Sequence, residues 1–63
     1  SVFVRVLVGT DGKVMHAEVV KGHEVFHESA LEAARGFVFT PAMQNERPVK
    51  VWVTIPIEFR LIG

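Results

Sequence analysis

At 63 residues the chain is one small domain at most, near the lower size at which a core forms without staples. It has no cysteine, which excludes disulfides and thiolate chemistry and leaves the redox compartment unread. Seven basic and seven acidic residues cancel without a basic patch, arguing against nucleic acid as a partner, and a hydrophobic fraction of 49% excludes a disordered tail.

No run approaches the roughly 18 apolar residues of a membrane span, and no signal peptide opens the sequence. A strand pattern begins almost at Ser1. We therefore expect residues 1–63 to form a single domain cut from a longer protein, with any anchor or export signal upstream.

Val2, Val4, Val6 and Val8 alternate with Phe3, Arg5 and Leu7, predicting a first strand whose valine face points at the core. Gly9-Thr10-Asp11-Gly12 supplies the residues of a tight hairpin turn. A phosphate loop would need a longer glycine run opening a helix, and no helix follows. The second strand covers about Lys13 to Val20. Its apolar positions Val14, Ala17 and Val19 break parity once, which a bulge near Met15-His16 would repair.

Lys21 to Glu24 reads as a loop. From about Val25 to Gly36, Phe26, Ala30, Ala33, Ala34 and Phe37 form one helical stripe, with Glu28, Glu32 and Arg35 off it. Glu32 can pair with Arg35 three residues on. Pro41 turns Thr40 away from helical geometry, Ala42 to Arg47 reads as a polar loop, and Pro48 leads into the last strand.

That last strand, Val49 to Leu61, alternates without a break. Val49, Val51, Val53, Ile55, Ile57, Phe59 and Leu61 share one face, and Lys50, Trp52, Thr54, Pro56, Glu58 and Arg60 the other. Pro56 has no N–H for a ladder, so the strand belongs at a sheet edge or leaves the sheet there. The expected fold is α+β, β-β-α-β: a three-stranded antiparallel sheet of order 2-1-3 with one helix on its valine face. The other face then carries Phe3, Leu7 and Trp52 beside Arg5, Lys50 and Thr54, which suggests a further element or a partner.

These residues resemble the C-terminal domain of the TonB family of energy transducers. The likeness runs through Val2, Val4, Val6 and Val8, then Thr10-Asp11-Gly12, Val14 and Ala17-Glu18-Val19-Val20. It continues in Gly22-His23, Ala30-Leu31-Glu32-Ala33 and Arg35, and is strongest in Phe39-Thr40-Pro41-Ala42, Pro48-Val49, Pro56-Ile57 and Phe59. Each piece is weak alone; together, in order and spacing, they span essentially the whole chain. His27 departs from the family's usual Asp, Gly36 from a longer basic residue, and Glu46 from a frequent Gly. The family's N-terminal helix, membrane anchor and proline-rich linker are absent from the sequence.

The resemblance implies a periplasmic domain, anchored to the inner membrane by an upstream helix, that passes on proton-motive energy without being an enzyme. It would grip the TonB box of outer-membrane transporters by adding that segment as a strand beside the last strand. Inner-membrane motor proteins would be reached through the upstream region. The site residues expected for the peptide are Gln44, Asn45, Val49, Lys50, Val51, Trp52 and Val53, with Arg47, Lys50 and Arg60 available to an acidic segment. Trp52 would either anchor a partner or pack on Phe3, Leu7 and a missing helix.

Other chemistry is poorly supplied. His23 and His27 lie at a helical ligand spacing and His16 could approach, but no further ligand completes a standard site, so we expect no metal and no cofactor. Thr10, Thr40, Thr54 and Ser29 have no evident base, and Glu24, Glu28 and Glu32 lie on a solvated face. The alternatives to a transducer are a self-pairing, strand-exchanged domain forming a homodimer, or a TonB-like module of another envelope or sensor protein.

Overall fold

A computed structural model describes residues 1–59. The strands β1 (Val2–Val8) and β2 (Val14–Lys21) are followed by a 3-10 turn (Glu24–Phe26), the helix α1 (His27–Arg35), and the strands β3 (Ala42–Gln44), β4 (Arg47–Val49) and β5 (Val51–Ile57). The main sheet is antiparallel with order β2-β1-β5, so the expected three-stranded arrangement is the one formed, with the last strand at an edge. The same fold has one helix on the valine face, as the alternation required.

The first turn closes through two backbone bonds, Gly12 N–H to the Gly9 carbonyl at 3.0 Å and Gly9 N–H to the Lys13 carbonyl at 2.8 Å. Gly12 takes φ +84°, the left-handed residue of a three-residue hairpin loop. The Asp11 carboxylate accepts from Lys13 N–H at 3.0 Å. In β2 the register skips Met15, since Leu7 opposes His16 and Val8 opposes Val14. The expected bulge is therefore present. A second skip, at Val20 between the pairs Val4–Val19 and Phe3–Lys21, was not anticipated.

Val2, Val4, Val6 and Val8 are buried together with Ala30 and Ala34, and among the described residues these six make the core. Burying each valine contributes about 1.5–3 kcal/mol relative to exposure. Alanines at the contact bring α1 close to the sheet. Its stripe is turned from the one expected: Phe26, Ala30 and Ala34 face the core with Leu31 beside them, whereas Ala33 is exposed. Phe37 lies beyond the helix end, 41% exposed, with its ring edge-on to Phe39. The cause is the early stop of α1 at Arg35, where Gly36 and Phe37 N–H groups bond Ala33 and Ala34 carbonyls.

Two further differences concern the C-terminal third. The segment read as a polar loop from Ala42 to Arg47 is part of a second hairpin, β3 against β4, in its own two-stranded sheet. Its two-residue turn, Asn45-Glu46, has φ +52° and +64°, the mirror-image geometry that hairpins favour. The long strand expected from Val49 to Leu61 is divided at Lys50 and ends at Ile57; Arg60 and Leu61 lie outside the described residues. Phe59 nonetheless stays with the core, its ring stacked on Phe26 at 4.7 Å and 10°.

Candidate functional site

The edge strand β5 pairs with β1 without a register break, from Val8–Val51 through Leu7–Trp52, Val6–Val53, Arg5–Thr54, Val4–Ile55 and Phe3–Pro56 to Val2–Ile57. Pro56 remains inside the pairing. Among the described residues the far side of β5 meets no other strand, so a row of backbone groups is open there. The opposite edge, on β2, is also open but carries the two bulges, which increase twist and interrupt any incoming ladder.

The helix packs chiefly over β2 and β1. Val51, Val53, Ile55 and Ile57, whose side chains point to the helix side, are consequently only half-buried. The expectation that α1 would cover this face of the last strand is thus corrected: the helix is too short and lies too far toward β2. Beside the open edge runs a strip of apolar surface.

The outer face of the sheet carries Trp52, 44% exposed, with the Arg5 guanidinium 4.2 Å from its ring centroid and His16 edge-on at 6.0 Å. The Glu18 carboxylate reaches both neighbours, the Arg5 guanidinium at 3.3 Å and the His16 imidazole at 3.8 Å. Residues on three neighbouring strands meet here because Leu7 opposes both His16 and Trp52, and Arg5 opposes both Glu18 and Thr54. Trp52 thus packs on Arg5 and His16. Of the two residues on which it would pack if it does not anchor a partner, Leu7 lies opposite it in the register, whereas Phe3 lies opposite Pro56 and is 37% exposed. The Glu32–Arg35 pair is not among the ion pairs of the described residues.

Of the residues expected to hold a peptide, Val51, Trp52 and Val53 lie together in β5, and Lys50 links β4 to it. Val49 ends β4. Gln44 and Asn45 belong to the separate hairpin, where Asn45 sits at the turn. Thr54 shares the edge with Trp52 and was not singled out from the sequence, although the alternation that marks Trp52 marks it equally. The histidines hold three unrelated positions. The His23 Nδ1 accepts from Val25 N–H at 3.2 Å and opens the 3-10 turn, in the role a capping Asp would have. The His27 Nε2 donates to the Gly22 carbonyl at 2.9 Å, and His16 lies on the outer face. Among the described residues no three metal-ligating side chains converge and no pocket opens in the surface.

Comparison with known proteins adds a family. The family described as Gram-negative bacterial TonB protein C-terminal matches residues 1–61. Protein tonB2 of Pseudomonas aeruginosa is 32% identical over 63 residues, covering 97% of this chain and 23% of that protein's length. The chain thus spans less than a quarter of that relative. No solved structure matches it.

Proposed function

This chain belongs to the TonB C-terminal family, and from that membership we propose that it is the peptide-gripping domain of an energy transducer. It acts without catalysis. Its ligand is the TonB box of an outer-membrane transporter, taken up as an added strand along the open side of β5. In the full protein the domain lies in the periplasm, tethered to the inner membrane and its motor proteins through sequence upstream of Ser1.

The observation that carries this reading is the contrast between the two sheet edges. One edge, β2, is bulged at Met15 and Val20; the other, β5, is regular over seven residues and flanked by half-buried apolar side chains. An extended segment laid on β5 completes main-chain hydrogen bonds with little regard to sequence, and side-chain contacts on either face add selectivity. Lys50, exposed just before β5, and Arg47 in β4 suit an acidic residue in that segment.

The test is a titration of a labelled TonB-box peptide into the chain, following backbone amides by NMR. Shifts concentrated in β5 are expected, with the β2 amides unmoved. Peptide at about 1 mM reports binding as weak as about 4 kcal/mol. Silence of β5 at that level, with a homodimer that persists on dilution, would favour self-pairing through the same edge instead.

A further inference from the structure

We infer that β5 grips its ligand through the backbones of Trp52 and Thr54, that Pro56 ends the grip, and that the segment carries apolar side chains at alternate positions. The inference rests on strand addition at β5 and goes beyond it by fixing which backbone groups face the ligand. Its starting point is the first hairpin.

Gly9 N–H bonds the Lys13 carbonyl, so the backbone of Gly9 points toward β2. Along an antiparallel strand successive residues direct their N–H and C=O to opposite sides. The bulges lie in β2, and β1 itself is unbroken. Leu7, Arg5 and Phe3 therefore also point to β2, while Val8, Val6, Val4 and Val2 point to β5. The partners of those four are Val51, Val53, Ile55 and Ile57, whose backbone groups are used up in holding β5 to β1.

What remains for a ligand is the intervening set, Trp52, Thr54 and Pro56. Pro56 confirms the parity independently, because a proline persists in a sheet where its missing N–H would face outward. Trp52 and Thr54 each offer an N–H and a C=O, and Pro56 offers a C=O alone. An added strand thus gains its hydrogen bonds at every second residue and loses its donor at Pro56. Val51 and Val53, which lie beside the ligand by sequence, contribute side chains and no hydrogen bonds.

The faces settle the ligand's chemistry. On the helix side the added strand lies beside Val51, Val53, Ile55 and Ile57, all half-buried for want of a neighbour. Apolar side chains at every second ligand residue cover that strip. On the outer side the Arg5–Trp52 stack lies alongside, already paired through Glu18, and favours small or polar residues.

Two experiments decide the matter. In the free chain, amide hydrogen exchange is expected to be fast at Trp52 and Thr54 and slow at Val53, Ile55 and Ile57; the reverse pattern overturns the inference. With a labelled, capped peptide of alternating valine and threonine, Pro56→Ala adds an outward N–H and is expected to tighten binding about two- to tenfold. Thr54→Pro is expected to weaken it by at least that factor, with circular dichroism confirming the fold. Binding that ignores both substitutions overturns the alternation while leaving strand addition intact. No binding to the unaltered chain overturns strand addition itself, and with it the proposed grip, whatever the exchange pattern.

Discussion

A methyl group placed on Gly12 would lie 1.9 Å from the Phe39 carbonyl oxygen, and at φ +84° it would also be sterically disfavoured. Phe39 N–H in turn donates to the Gly12 carbonyl at 2.8 Å, so the chain leaving α1 is tied to the first hairpin at this residue. Gly12→Ala is expected to destabilise the fold by about 2–4 kcal/mol, combining a left-handed penalty of about 1 with about 1–3 for displacing backbone. A lower urea midpoint measures it, and a midpoint within error of the parent would contradict the contact. The turn itself was legible in Asp11-Gly12. The contact with Phe39 was not, because no local pattern reports which distant backbone passes over a glycine.

At the scale of elements, periodicity served best where one face is buried and the other wet. The alternation of β1 and β5 placed their core faces correctly, and the parity break in β2 located the Met15 bulge. Val20 escaped notice because Val19 and Val20 are both apolar, so a skipped residue leaves the hydrophobic pattern unmarked. The helix stripe was misphased by Ala33 and Phe37, since alanine fits a core or a surface equally and the helix stops before Phe37. The β3–β4 hairpin was missed for a chemical reason: its turn has Glu46 where a glycine would have announced it. That position costs roughly 1–2 kcal/mol for a residue with a Cβ. Glu46→Gly is expected to recover about 0.5–1 kcal/mol net of the extra freedom of the unfolded chain. Denaturant unfolding should show the midpoint rising at unchanged slope; a fall would mean that the Glu46 side chain contributes something the backbone strain conceals.

The described residues form a slender body, 48 × 18 × 14 Å, whose buried core is four valines and two alanines. The candidate site was legible to the extent that Pro56 and the alternation mark an edge. Pro56 and the period of two already set Thr54 apart from Val53 in the sequence, and the register with one hairpin bond then assigns the outward backbone groups to Trp52 and Thr54. The two bulges of β2 have a consequence for assembly. A sheet with two regular edges is divalent and can grow into a filament, whereas one with a single usable edge can accept only one added strand. The bulges at Met15 and Val20 are expected to leave β5 as the single usable edge. Deleting both restores an even ladder on β2, and light scattering is then expected to detect larger species than for the parent chain at the same concentration; identical sizes would show that the bulges have no such effect. On the proposed grip, a single usable edge would make a transporter segment and a second copy of the domain rivals for β5, so that occupancy by one would displace the other.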